Sequence, residues 1–165
     1  GRGPAENYLD RNAGSMVGLY KSTAEELYFP YVRPQENGHH TDTRWVSLST
    51  GKKGLLIQAD NTIGFNALRN SIEDFDDEEA TGLPRQWSNF TPEQVANHDE
   101  AAAKNVLRRQ HHINNITPRD FVEVCVDLKQ QGVAGYDSWG SRPEPAYTLP
   151  ANREYNWGFT LIPLK

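Results

Sequence analysis

Apolar residues in this chain come only in short runs, and nearly every run is closed off by Gly, Asn, Asp or Pro. The runs cover 17–20, 27–32, 44–49, 55–59, 64–68, 106–113, 121–128 and 156–163 and are rich in β-branched and aromatic side chains. Segments of that length and composition cannot bury a helical stripe but fit half-buried strands, so the pattern predicts an antiparallel all-β fold. Thr50-Gly51-Lys52-Lys53-Gly54 carries turn chemistry between the third and fourth runs, which predicts a hairpin there. One helix start interrupts the pattern. Thr91-Pro92-Glu93-Gln94 has Thr at the cap, Pro at the first helical position and Gln three residues beyond the cap, so a short helix is expected over 95–104.

At 165 residues the chain is long enough for one domain with a core, burying roughly 70% of the surface its unfolded form exposes. Only 36% of its residues are hydrophobic, and the mean hydropathy is -0.75. That is polar for a free-standing domain, and the expectation is a thin sandwich or a piece that leans on neighbours. Residues 1–15, rich in Gly, Pro and Asn, read as an irregular segment that docks on something larger. The net charge of -5 and the scattering of 17 Lys and Arg leave no footprint for a phosphate backbone, so no nucleic-acid partner is expected. No apolar run approaches the ~18 residues of a membrane span, and no membrane partner is expected. No basic-plus-apolar N-terminal segment resembling a secretory leader is expected here; with no initiator Met, the first residues are expected to be a processing product or an artificial boundary, with Gly1 a tag remnant. The compartment, cytoplasmic or periplasmic, stays open. The single Cys125 excludes an intrachain disulfide and reads as a packed thiol. The acidic stretch Glu73 to Glu79 opens what reads as a surface insertion at about 73–96; it lacks the alternating spacing of a calcium loop.

The chemistry concentrates in Gly132-Val-Ala-Gly-Tyr-Asp-Ser-Trp-Gly140. An indole on a glycine-rich loop can offer its flat face to the C–H face of a sugar, and the glycines let backbone and ligand approach closely. Trp139 is therefore the candidate sugar contact, with Asp137 and Ser138 as loop-shaping neighbours able to reach hydroxyls; the alternative is a loop anchor that fills a gap. Two other tryptophans, Trp45 and Trp157, read as core or inter-sheet packing. His39-His40 and His111-His112, with His98, invite a metal reading. Adjacent strand residues face opposite ways, so each pair offers one ligand at most, and no metal site is expected.

Three segments in order resemble the C-terminal part of the large bacterial beta-galactosidases of glycoside hydrolase family 2. They are Gly1-Arg-Gly-Pro-Ala-Glu-Asn-Tyr-Leu-Asp-Arg11, Tyr31-Val-Arg-Pro-Gln-Glu-Asn-Gly38 with Thr43-Arg-Trp45, and Gly132-Val-Ala-Gly with Asp137-Ser-Trp-Gly140 and Pro143-Glu-Pro-Ala-Tyr147. The resemblance implies a galactose mutarotase-like antiparallel supersandwich of which this chain covers about the C-terminal half. It also implies a parent enzyme that hydrolyses terminal β-D-galactosides, lactose among them, with retention. A retaining glycosidase needs two carboxylates about 5 to 5.5 Å apart. Of the acidic residues, Glu6, Glu36 and Asp137 lie inside the matching segments, but by resemblance the catalytic pair sits in a barrel domain upstream. This chain is then expected to hold no catalytic residue and to be inactive alone. The magnesium and sodium of the family likewise belong to upstream domains. The implied partners are the upstream barrel and sandwich domains and a galactoside, and strand edges left open by a half-domain add self-association. Two other functions compete: a stand-alone galactose- or glycan-binding module, and an aldose mutarotase-like enzyme using His40 or His112 with Glu36.

Overall fold

The computed structural model describes residues 1–32, 35–75, 113, 116–137 and 139–165. They fall into two compact units. One comprises Gly1–Phe29, Asn37–Leu68 and Glu123–Lys165, and the other Pro30–Glu36 and Arg69–Val122. The expected helix over 95–104, the strand-like run 106–112, His98, His111 and His112 lie outside the described residues, as does the insertion beyond Phe75.

The first unit is all-β and antiparallel, in keeping with a β sandwich. Strands β1 (Arg2–Gly3) and β2 (Met16–Val17) form a two-stranded ribbon. Strands β3 (His40–Thr50), β4 (Lys53–Leu68), β5 (Glu123–Asp127) and β6 (Phe159–Leu164) form a four-stranded sheet. The expected hairpin joins β3 to β4, with Thr50 opposite Lys53. Gly51 adopts φ 58° at the first turn position, a conformation that costs glycine nothing and any other residue about 1 kcal/mol.

Two expected runs, 55–59 and 64–68, are one 16-residue strand. The polar Asp60-Asn61-Thr62 between them looks like a turn in sequence but is a bulge in the ladder. Trp45 pairs with Gln58 and Thr43 with Ile63, so two steps along β3 face five along β4. Beyond β4, β6 pairs with its first half (Gly54 to Ala59) and β5 with its second (Gly64 to Leu68), the two lying end to end along one edge. The expected strand over 27–32 is absent: Pro30 removes a ladder donor from that run, and the Phe29 N–H donates to the Asn37 side chain at 3.0 Å instead. Of the run at 17–20, only Val17 lies in a strand, at the end of β2.

Burial gathers at the second half of β4, where Ile63, Asn66, Ala67 and Leu68 are buried with His39, Asn37 and Tyr8. The N-terminal segment covers this end, docking on β3. Asn7 donates to the carbonyls of Arg2 and Ala5, and its Oδ1 accepts from the Thr41 N–H at 3.0 Å and the Thr41 hydroxyl at 2.6 Å. Glu6 bridges Arg11 at 2.8 Å and the Gly38 N–H at 2.7 Å. At the other end of the sheet Trp45 and Trp157 are 48% and 45% exposed rather than packed, because no second layer covers them among the described residues.

In the second unit, Ile72–Phe75 forms a 3-10 turn whose buried Asp74 receives Arg119 in a forked ion pair. Burial works to raise the Asp74 carboxyl, but the Arg119 guanidinium, the Ser71 N–H and Asn70 outweigh it and hold it below the usual carboxylate range.

Candidate functional site

The glycine-rich loop is held at its base and bare at its tip. Gly132 N–H donates to the Tyr147 carbonyl at 2.7 Å, on the 3-10 turn Pro145–Tyr147. Asp10 then grips the next two amides: Val133 N–H donates to its Oδ1 at 3.1 Å and Ala134 N–H to its Oδ2 at 2.8 Å. The carboxylate lies so close to Gly132 that a Cβ there would stand 2.6 Å from Asp10 Cγ, which is why the position has no side chain. Ala134 and Gly135 follow with φ of 56° and 88°, turning the chain outward.

Past that turn the loop is closed by local bonds. Tyr136 N–H donates to Ser141 Oγ at 3.1 Å, and Trp139 N–H donates to Asp137 Oδ1 at 2.8 Å. Asp137 thus shapes the loop by an Asx turn, as its position suggests. Ser138 lies outside the described residues. Trp139 itself is 93% exposed and fills no gap among the described residues. An apolar ring of that size held in water on a tethered loop is a surface ready to receive a flat apolar face.

The other sequence candidates are placed elsewhere. Glu6 has both carboxylate oxygens engaged and a side chain only 5% exposed, so it pins the N-terminal turn. Glu36 belongs to the second unit. His39 and His40 are both buried, His39 stacked on Tyr8 with ring centres 5.5 Å apart and His40 on Phe65 at 5.3 Å. Burial, then the neighbouring His40, pushes the His39 imidazole down to about 4. Burial also lowers His40, whose Nδ1 is 3.1 Å from the Arg2 carbonyl. Neither imidazole is open to a sugar, which removes His40 as the base of a mutarotase-like reaction. No cluster of three metal-ligating side chains occurs among the described residues, and no helix among them is long and apolar enough to cross a membrane. One groove lies on the sheet, lined by Arg44, Trp45, Leu56, Gln58 and Asp60, and includes none of the Trp139 loop. It is shallow, and the loop carries the more specific geometry.

Comparison with known proteins decides the family, since the model of the beta galactosidase small chain matches residues 1–161. This chain belongs to the beta-galactosidase small-chain family. The chain is 36% identical over 165 residues to a beta-galactosidase of Priestia megaterium, with 99% of this chain and 13% of that protein covered. It is 29% identical to one from Streptococcus thermophilus and 26% identical to one from Pseudoalteromonas haloplanktis, with 99% and 98% of this chain matched. The chain therefore spans about one-eighth of the length of these relatives, which are far larger proteins.

The residue that sequence reasoning passed over is Asp10. It stood in the first matching segment only as a neighbour of Glu6 and Arg11. Its partner amides lie more than 120 residues away, and the only trace in the sequence is the bare Gly132 that makes room for it.

Proposed function

We infer that this chain serves a larger β-galactosidase acting on terminal β-D-galactosides, and that it brings Trp139 to the sugar while the catalytic carboxylates and the magnesium and sodium lie in upstream domains. The observation that carries this reading is the exposed indole on a loop fixed at its base, in a chain whose relatives are named beta-galactosidases. Asp137, which accepts from the Trp139 N–H, and its sequence neighbour Ser138 are the residues assigned to the hydroxyls of the stacked sugar in this reading. The engagement of Glu6 in the N-terminal turn supports a chain without a catalytic residue. The upstream barrel and sandwich domains are the partners of the reading, and their proximity would supply the polar groups that orient the sugar.

In the full-length protein, Trp139→Ala is expected to raise KM for nitrophenyl-β-galactoside about tenfold, the loss of one stacked ring face. The chain alone is expected to give no turnover. An unchanged KM in the variant would end the sugar-platform reading, and sustained turnover by the isolated chain would end the assignment of catalysis to other domains. Saturable galactose binding by the isolated chain, lost in Trp139→Ala, would favour the stand-alone module instead.

A further inference from the structure

We propose that Asp10 is a positioning residue for Trp139, fixing the direction in which the indole is presented to a galactoside; the proposal rests on the reading of Trp139 as a sugar contact. A series of hydrogen bonds leads from the core to the base of the loop. Asn7 is fully buried and hydrogen-bonded to β3, and the turn that follows closes with Arg11 N–H donating to the Tyr8 carbonyl at 2.9 Å. That turn carries Asp10. The carboxylate then accepts from Val133 and Ala134 at 3.1 and 2.8 Å, and two amides on one carboxylate fix its plane as well as its distance. Ala134 is held at φ 56°, an unfavourable conformation for alanine, while its N–H is bound to Asp10. Five residues beyond Ala134 stands Trp139, itself locked to Asp137.

Without this grip the base of the loop keeps the Gly132 to Tyr147 bond but loses the two contacts nearest Ala134, which is then free to leave the left-handed region. The indole would then sample many directions, and a sugar would have to order the loop on binding. Ordering costs affinity even though no atom touching the sugar has changed. Two substitutions attack the same contact from opposite sides. Asp10→Asn keeps the shape but turns an amide NH2 toward one of the loop N–H groups. Gly132→Ala places a methyl group where the carboxylate sits.

The test uses the full-length protein labelled with 5-fluorotryptophan, with the Trp139 resonance assigned by Trp139→Phe. In the sugar-free protein, Asp10→Asn and Gly132→Ala are each expected to move and sharpen the Trp139 resonance toward that of a free indole, leaving Trp45 and Trp157 in place. A Trp139 resonance that keeps its position in both variants overturns the proposal, and so does a shift of all the tryptophans together, which would mark a general structural role. The second arm is a double-mutant cycle on galactoside kcat/KM. Asp10→Asn is expected to lower it about tenfold with Trp139 present and less than about twofold in the Trp139→Ala background. Equal losses in both backgrounds overturn the positioning role. If Trp139→Ala alone leaves kcat/KM unchanged, the sugar reading fails by itself, and the fluorine spectra still decide whether Asp10 sets the ring.

Discussion

Asn7 shows how a polar residue can hold a segment that has almost no apolar side chains of its own. Its amide makes two donated and two accepted hydrogen bonds in a site with no exposure, and its backbone N–H donates to the His39 carbonyl at 2.7 Å. Truncating such a group leaves the buried Thr41 N–H and hydroxyl without their acceptor, and each unsatisfied buried group costs about 1–3 kcal/mol. Asn7→Ala is therefore expected to destabilise the chain by about 3 kcal/mol, read as a lowered urea midpoint with an unchanged slope. A midpoint equal to the parent's would mean that water replaces the side chain and that the segment is held by its backbone. Because Asp10 rides on the same turn, the loss should reach the Trp139 loop as well.

At the scale of an element, β3 joins two environments. Its outer half, from Arg44 onward, is largely exposed, while His40, Thr41 and Thr43, with His39 just before the strand, are buried against Tyr8, Phe65 and Ile63. Asp127 Oδ2 lies 4.0 Å from His39 Nδ1, and Glu6 acts on His40 from the N-terminal turn. With the folded imidazole of His39 at about 4 against an ordinary 6.5, the unfolded chain binds more protons between those values. Stability contributed by the neutral ring is thus fully present above about pH 6.5, falls as the pH drops, and levels off below about 4. The whole loss is about 3 kcal/mol. Urea titrations at pH 7, 5.5 and 4.5 check this, since carboxylates are still charged over most of that range. A stability independent of pH across it would show that His39 is not buried in the folded chain. Asp74 adds to the decline only further down, because its lowered carboxyl gives up its contribution as the pH falls below the ordinary carboxylate range.

For the whole molecule the telling strand is β6. It pairs with β4 on one side, and among the described residues no strand pairs with its other edge. Phe159, Leu161, Ile162 and Leu164 are all exposed, so apolar side chains are uncovered on both of its faces. Trp45 and Trp157 extend the same uncovered apolar surface. An open edge with apolar flanks pairs with whatever strand it meets. The chain in isolation is therefore expected to form dimers or larger assemblies in light scattering at micromolar concentration. A clean monomer would mean that this surface folds over on itself, and the expectation of a half-sandwich that leans on upstream domains would lose its support.

What the sequence determined by itself was local. Short β-branched runs specify strands because their side chains suit a pleated surface and little else, and Thr50-Gly51-Lys52-Lys53 specifies a hairpin because Gly51 alone tolerates its φ. The glycine-rich setting of Trp139 was legible for the same reason, as was the loop-shaping bond of Asp137. Only the tertiary structure decided the rest. Asp60-Asn61-Thr62 has the composition of a turn, yet pairing with β3 and β6 absorbs it as a bulge, since flanking ladders outweigh local propensity. Whether Trp45 packs or stands open depends on what covers the sheet, which no run of neighbours encodes. The tie between Asp10 and the amides of Val133 and Ala134 joins residues more than 120 positions apart, and backbone amides carry no sequence signal. Local preference sets each strand and turn, but burial and long-range hydrogen bonds exist only once distant segments share the same space.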